Sequence, residues 1–349
     1  MELETIFESQ VARNPARKAS VNPNYWYPVA RSQDLKLGKI LSARFWKQPL
    51  AVFRDQNGQI HAVDDICPHK GVSLHKGTVK GCHLVCPYHG WEYDGASGHC
   101  TAIPYLPEGQ KLPRASVRSY PVQERYGLAW IFPGDPALAE QKALIDIPQY
   151  GDEDWLDVVL NFRFWAHFSI CNENTMDMFH GHLHSNYQAW YGTKLLKLEE
   201  TSDTVQAHYQ VFYNNWLAPL LGLSKWGDKV SSQQVTIQYL YPHICSVVGD
   251  VSRVYMLRIP VSDVESHSFS LFFTKVRVPG ILKPLKPLIR YLIRRFVLTK
   301  FLLQDLDMNE NEQSTYQTNP ERRYVEINPA VLAMQRVIVR QAEQASEQS

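Results

Sequence analysis

Two kinds of hydrophobic pattern divide the chain. Over residues 26–136 apolar positions come in short runs broken every few residues by turn formers. Leu50-Ala51-Val52-Phe53-Arg54 and Gln59-Ile60-His61-Ala62-Val63 flank a turn carrying Asn57-Gly58, a strong signal for a tight hairpin. This pattern predicts an all-β domain. Its last strand-like run, Gly127-Leu128-Ala129-Trp130-Ile131-Phe132, stops at Pro133-Gly134-Asp135-Pro136, where two prolines and a glycine forbid continuation. Residues 137–154 are polar and acidic, as a linker with one helical turn would be. Beyond them, longer runs rich in β-branched and aromatic residues (205–213, 235–248, 254–259 and 269–278) predict strands of an antiparallel sheet. Helical periodicity appears over 172–184, from about 285 through 313, and near 331–344. The expected order is a helical extension (1–24), an all-β domain (25–136), a linker (137–153), an α+β domain (154–342) and a disordered tail (343–349).

Composition narrows the function classes. A length of 349 residues exceeds what one core usually organises, which agrees with two domains. Thirty-six Lys plus Arg against 35 Asp plus Glu leave a net charge of +1, so no global field draws in nucleic acid. The first residues form no secretory signal, and the most apolar late stretch, 288–303, is broken by Arg290, Arg294, Arg295 and Lys300, too often for a membrane span. A cytoplasmic protein is expected. Six basic residues between 281 and 303 (Lys283, Lys286 and those four), with no acidic one, interleave with Leu, Ile and Phe. That pattern has two readings: a basic amphipathic surface resting on an anionic membrane, and an ordinary helix packing its apolar stripe on the sheet. Six cysteines, four of them within 34 residues, suit a metal site in a reducing compartment better than a disulfide framework.

Cys67-Pro68-His69 is followed, after sixteen residues, by Cys86-Pro87-Tyr88-His89. Each arm brings one thiolate and one imidazole on a proline-stiffened loop. Zinc with two Cys and two His is the plain alternative, but zinc fingers usually keep like ligands paired within an arm. Mixed arms suit a two-iron, two-sulfide cluster in which the thiolates hold one iron and the imidazoles the other. The following Gly90-Trp91-Glu92-Tyr93-Asp94-Gly95 allows a tight turn and an aromatic shield. This segment resembles the Rieske motif, with Cys67, His69, Cys86 and His89 at its ligand positions. Cys82 and Cys100 do not match a loop-bracing disulfide and read as small buried residues; His75, His83 and His99 fit no ligand slot.

A second constellation lies in Asn172-Glu173-Asn174-Thr175-Met176-Asp177-Met178-Phe179-His180-Gly181-His182-Leu183-His184. On an α-helix Asp177, His180 and His184 share a stripe, and two imidazoles with a carboxylate and open positions are the ligand set of non-haem ferrous iron. Together with the Rieske arms, this resembles the Rieske non-haem iron oxygenases over roughly residues 25–335, including Trp26-Tyr27-Pro28-Val29 and Phe132-Pro133-Gly134-Asp135. The resemblance implies an N-terminal Rieske [2Fe-2S] domain and a helix-grip catalytic domain, α+β, whose antiparallel sheet grips a long C-terminal helix. It implies iron ligands His180, His184 and Asp305, the last within Phe301-Leu302-Leu303-Gln304-Asp305-Leu306-Asp307-Met308, where Asp307 would face away. The family usually places four residues between its histidine ligands and this chain has three, so His182 stays an alternative to His184. By resemblance Asp177 bridges an iron-bound His to a Rieske His of the neighbouring subunit, although spacing alone also allows it as a ligand; Asn174 can support a ligand or face solvent.

The implied activity is a monooxygenase that uses O2 and externally supplied electrons to hydroxylate or oxidatively demethylate an apolar or aromatic small molecule. Its cofactors would be a Rieske [2Fe-2S] cluster and one mononuclear Fe(II), and its assembly a homotrimer. With no G-x-G-x-x-G fingerprint in the chain, electrons come from a ferredoxin or flavoprotein reductase. Lys70, Lys76 and Lys80 near the cluster arms can steer an acidic partner or simply be solvated. The rival class is an electron-transfer or binding protein that lacks a functional second iron.

Overall fold

The computed structural model describes residues 10–12, 14–185, 190–213, 231–275 and 284–347. The chain separates into two compact units, Asn22–Leu144, and Met1–Val21 together with Ile145–Ser349.

The described chain begins with a strand, β1 (Gln10–Ala12), that belongs to the larger unit. Eleven strands build the smaller one: β2 (Tyr27–Arg31), β3 (Ile40–Phe45), β4 (Gln48–Arg54), β5 (Ile60–Asp64), β6 (Thr78–Lys80), β7 (His83–Val85), β8 (Glu92–Asp94), β9 (Cys100–Ala102), β10 (Ser119–Tyr120), β11 (Val122–Arg125) and β12 (Leu128–Ile131). They form three antiparallel sheets, ordered β10-β5-β4-β3, β11-β12-β2 and β6-β7-β8-β9. The Asn57-Gly58 turn joins β4 to β5 as expected: Asp55 Oδ1 accepts from the backbone N–H of Asn57 and of Gln59, both at 2.8 Å. Ala51, Phe53 and Val63 pack with Leu74, Leu84, Tyr93 and Val117 into a core that also contains Cys67 and Cys86. The stretch expected as a linker begins later than its polarity suggests. Residues through Leu144 group with the β unit, where Trp26 Nε1 donates to the Lys142 carbonyl at 2.9 Å and the Lys142 ammonium sits 4.4 Å from the Tyr25 ring centre.

The larger unit continues with β13 (Trp155–Phe164), α1 (Phe168–Met176), a 3-10 segment (Met178–His184), β14 (Trp190–Glu200), β15 (Thr204–Tyr213), β16 (Ser231–Leu240), β17 (His243–Val248), β18 (Ser252–Ser262) and β19 (Glu265–Lys275). The seven strands make one antiparallel sheet in the order β13-β19-β18-β17-β16-β15-β14. Then come α2 (Lys286–Ile293), a π-helical turn (Arg294–Leu298), α3 (Thr299–Thr318), β20 (Tyr324–Glu326) and α4 (Pro329–Glu347). Burial alternates strictly along β15, as a sheet with one packed face requires. The run expected as one strand over 235–248 is a hairpin, turning at the cis Tyr241–Pro242 bond. Of the expected 269–278 strand, residues 276–278 lie outside the described residues.

Both ends of the chain differ from expectation. In the N-terminal segment the described residues form a strand and one 3-10 turn: β1 pairs antiparallel with β20, and Pro15–Lys18 turns under an Asn14 cap, while residues 1–9 of the expected helical extension lie outside the described residues. Arg17 is buried there; its guanidinium donates to both Glu173 oxygens at 2.5 and 2.8 Å and to Ser169 Oγ at 2.9 Å, and pairs with Glu312. The polar C-terminal tail is helical to Glu347, because Ala342 and Ala345 continue the buried stripe of Met334, Val337, Ile338 and Gln341. Among the described residues no helix is long and apolar enough to cross a membrane.

Arg17 and His167 each give a stability prediction. Arg17→Met leaves Glu173 buried without its cation and is expected to cost about 3 kcal/mol in urea unfolding. His167 Nε2–H donates to the Ala19 carbonyl, its Nδ1 faces Ser169, and burial, reinforced by the Arg17 cation, pushes its pKa down to about 3. An unfolded imidazole binds a proton near pH 6.5, so between these values the unfolded state holds more protons. Stability should therefore fall as pH drops below about 6.5, by up to about 1.4 kcal/mol per unit. The slope should flatten in His167→Gln.

Candidate metal centres

The two cysteine-histidine arms adopt the same loop. Cys67 N–H donates to the Val72 carbonyl at 2.9 Å while Gly71 N–H returns to the Cys67 carbonyl at 2.8 Å; Cys86 does the same with Trp91 and Gly90, at 2.8 and 3.1 Å. Gly71 and Gly90 close these loops at φ of +70° and +68°, where a side chain would be strained. The arms leave the β5–β6 and β7–β8 connections, so the small sheet holds them face to face. Both thiols are buried, and the His69 and His89 rings lie 4.5 Å apart with their Nδ1 atoms buried and without a hydrogen-bond partner.

Those four atoms are a donor set in want of a metal group. Burial pushes the Cys86 thiol up, against the pull of the Tyr88 and His89 backbone N–H groups, and burial lowers the His69 imidazole, helped by His89 and Lys70. A bound metal supplies what deprotonates such thiols. The Tyr93 hydroxyl, kept protonated by burial and by the neighbouring Cys67, donates to Cys67 Sγ at 3.2 Å. The Trp91 ring stacks on His69, 9° from parallel at 4.6 Å, which is the aromatic shield expected after the second arm. Of the three lysines considered for steering, Lys80 is paired with Glu92 at 2.6 Å.

The second constellation forms by a different route from the one its spacing suggests. The helix ends at Met176; Asp177 takes extended backbone (φ −83°, ψ 105°), caps the next segment by accepting from Phe179 N–H, and the chain continues as a 3-10 helix. With three residues per turn, positions four apart no longer share a face. His180 and His184 converge because both reach Asp305 across the sheet's open side. Their Nε2 atoms lie 3.7 and 3.2 Å from Asp305 Oδ1, and one ligand atom from each of the three falls within 4.8 Å of the others. His182 is exposed on the other side and Asp307 faces solvent, so neither joins the group.

Neighbouring groups hold the trio. His184 Nδ1–H donates to Gln304 Oε1 at 3.1 Å, which leaves Nε2, buried and without a hydrogen-bond partner, as a lone pair aimed at Asp305. Phe301 stacks on that ring at 3.8 Å. Asn174 donates to Asp305 Oδ1 at 3.3 Å, the supporting role open to it from sequence. Burial keeps the His180 imidazole below its ordinary value although Asp305 pulls it upward, so it favours the neutral form that a metal requires. Gly181 sits against Trp190, where a Cβ would come within 2.4 Å of the Trp190 carbonyl. Asp177 is not in the trio; Asn328 Nδ2 holds its carboxylate at 2.9 Å. Gln304, Trp190 and Asn328 were not legible as site residues, since nothing in their local sequence distinguishes them.

An apolar cavity of about 160 Å³ ends at His180 and Asp305, with Leu156, Val158, Val254, Phe272, Ile293 and Phe301 among its walls. Its remaining polar groups include the hydroxyls of Thr175, Tyr213, Ser246, Ser252 and Thr274 and the Asn174 amide; no Lys or Arg lines it among the described residues. Of the aromatic residues of this unit, Trp190 and Phe272 line it, Trp165 is exposed, and Trp216 and Trp226 lie outside the described residues. A larger polar cavity, about 1020 Å³, borders Asp177 and the same His180, with Glu173, Glu326 and Arg336 on its walls.

Comparison with known proteins gives relatives for the whole chain. The profile of the Rieske [2Fe-2S] domain matches residues 25–121. A 4beta-methylsterol monooxygenase of Methylococcus capsulatus is 33% identical over 333 residues, 93% of this chain and 89% of that protein. The oxygenase component of dicamba O-demethylase from Stenotrophomonas maltophilia is 38% identical over 157 residues, 45% of each chain. The crystal structure of dicamba monooxygenase bound to 3,6-dichlorosalicylic acid superposes with a TM-score of 0.78 at 24% identity, covering 94% of this chain and 99% of that one.

Metal content separates the two sites. Asp305→Ala and His184→Ala should each retain the visible cluster absorption and reduced-state paramagnetic signal while iron falls from about three to about two per chain. His182→Ala should keep all three; loss of one there would reassign the ligand.

Proposed function

Since the chain belongs to the Rieske non-haem iron oxygenases, we propose that Cys67, His69, Cys86 and His89 hold its [2Fe-2S] cluster and that His180, His184 and Asp305 hold its iron. On this reading the cluster domain spans 25–136 and the catalytic domain 154–342. The enzyme is an oxidoreductase, a Rieske monooxygenase that uses O2 and externally supplied electrons to hydroxylate or oxidatively demethylate an apolar or aromatic small molecule. The observation that carries the site assignment is the His180–His184–Asp305 trio, two of whose members, His180 and Asp305, line an apolar cavity. It also weighs against a carrier without a second iron, which has no use for such a pocket.

When bound, the cluster supplies single electrons and the iron activates dioxygen. The protein's own groups do the positioning. Gln304 fixes the tautomer of His184, and Asn174 restrains Asp305, so that two imidazole lone pairs and a carboxylate face one point. The apolar walls exclude water, which protects reactive species from side reactions. Among the described residues no Lys or Arg lines the cavity as a counter-ion for an acid, and the hydroxyls of Ser246, Ser252 and Thr274 can orient a neutral polar group. An interior of about 160 Å³ is below the roughly 300 Å³ of a whole drug-sized site, so it takes the reacting end of a larger lipophile. A neutral substrate of this kind is in keeping with the relative named for a methylsterol.

Electrons come from an external ferredoxin or reductase. Asp177, anchored by Asn328 and lining the large polar cavity beside His180, is suited to bridge from this iron site to the Rieske histidine of a neighbouring subunit in a homotrimer. Its carboxylate can hold the proton or hydrogen bond that such a path needs.

Reduced enzyme mixed with a neutral lipophilic substrate under labelled dioxygen should place one labelled oxygen in the product. Asp177→Asn should keep full iron and cluster content yet lower turnover by roughly 10–100-fold. Unchanged turnover would remove Asp177 from the electron path.

A further inference from the structure

The segment carrying α2 is amphipathic in the wrong direction for a helix that packs on its own sheet. An ordinary surface helix turns its apolar stripe inward. Here no residue of Lys286–Ile293 is buried, and the polar side chains are the ones that reach the body: Lys286 Nζ donates to the Glu153 carbonyl at 2.7 Å, and the Arg290 guanidinium pairs with Asp157 on β13. The apolar stripe points away. Leu285, Leu288, Leu292 and Phe296, spaced three, four and four residues apart, are 46%, 53%, 43% and 53% exposed, and Tyr291 beside them is 59% exposed. Only Ile289 and Ile293 turn partly inward beside Lys286 and Arg290, so a narrow apolar strip meets the body and the broader one stays outside.

Two further observations select the occupant of that face. Its flanks carry the exposed cations Arg294, Arg295 and Lys300, and no Asp or Glu occurs between residues 284 and 304, so the surface is complementary to negative charge. Isolated apolar exposure is unremarkable, but a helical stripe of large side chains rimmed by Arg and Lys is the composition that lies in a lipid headgroup layer. In addition, the same stretch lines the active-site cavity from its inner side, through Ile293, Leu298 and Phe301, four residues before Asp305. One helical segment thus has an outer apolar face and an inner one on the cavity that ends at the iron ligands.

We propose that the outward face of residues 285–300 docks on an anionic lipid bilayer, with Leu285, Leu288, Leu292 and Phe296 in the acyl boundary and Arg294, Arg295 and Lys300 at the headgroups. Docked in this way, the enzyme draws its lipophilic substrate from the bilayer past Ile293 and Leu298 rather than from water. This second step rests on the oxygenase reading above; the docking itself does not.

The experiment uses the full-length, cluster-loaded protein and sedimentation with vesicles of phosphatidylcholine alone or mixed with phosphatidylglycerol. The protein should pellet with the anionic vesicles several-fold more than with the neutral ones, and less at high salt. Leu288→Glu combined with Leu292→Glu should lower the bound fraction at least about tenfold, with unchanged cluster absorption and iron content as proof of folding. Wild type left in the supernatant with both vesicles would overturn the proposal, as would a double variant that pellets like wild type. A change of sedimentation coefficient in the double variant without lipid would assign the face to a second copy of the chain, again overturning it. Vesicle binding is read without turnover, so an inactive preparation that still pellets would count against the oxygenase assignment alone.

Discussion

A buried carboxylate on the wall of an apolar cavity is the constraint around which the larger unit is organised. Asp305 is 7% exposed and faces two imidazoles, of which His180 is held below its ordinary value by burial. A carboxylate is buried only where partners offset the loss of water; here Asn174 donates a hydrogen bond and the buried Arg258 guanidinium adds its charge. A divalent cation between the three groups would complete that compensation, which is how a binding site differs from a core.

The same logic accounts for the inward stripe of α3. Asp305, Asn309 and Gln313 fall three to four residues apart beyond Leu302, and all are buried where an ordinary helix would place Leu or Val. Gln313 Oε1 accepts from the His167 backbone N–H at 2.8 Å, at the start of α1, while Asp305 meets the 3-10 segment that follows α1. The polar stripe thus registers α3 against both ends of the ligand-bearing stretch. The N-terminal segment adds to this clamp, because Arg17 joins Glu173 on α1 to Glu312 on α3. In the smaller unit the ligands are held differently, by two loops whose backbone hydrogen bonds are duplicated around each cysteine. There the geometry is local and precedes the metal; at Asp305 it is assembled from segments more than a hundred residues apart.

The helix that leads into α3 links the cavity to the surface. Its polar residues are committed to the sheet edge, which leaves its apolar face outward, and the next turn closes over the cavity. A substrate poorly soluble in water reaches such a cavity most easily from an apolar phase, so the surface chemistry and the pocket chemistry point the same way.

Much of this was legible in the chain itself. Mixed Cys-His arms with prolines and glycines define their own loops, because ligand identity, φ preference and spacing are local properties. Strands β15 to β19 of the larger unit follow from runs of β-branched and aromatic residues, and the small β-domain from its turn residues, whereas β13 and β14 were not read from the sequence. Spacing pointed to His180 and His184, although for a reason the fold does not use: the shared α-helical face does not exist, since the helix breaks at Asp177 and resumes as a 3-10 segment. Asp305 was legible only through the resemblance, because nothing local ties it to residues 180–184. What only tertiary structure decided is which distant groups meet. Gln304 fixes His184, Asn328 anchors Asp177, and Arg17 turns an expected helical extension into a buried clamp. The outward apolar face of α2 belongs to this class as well. Periodicity reports that a helix is amphipathic, but only the partners of Lys286 and Arg290 determine which side meets the protein, since that choice depends on non-local contacts absent from the sequence pattern.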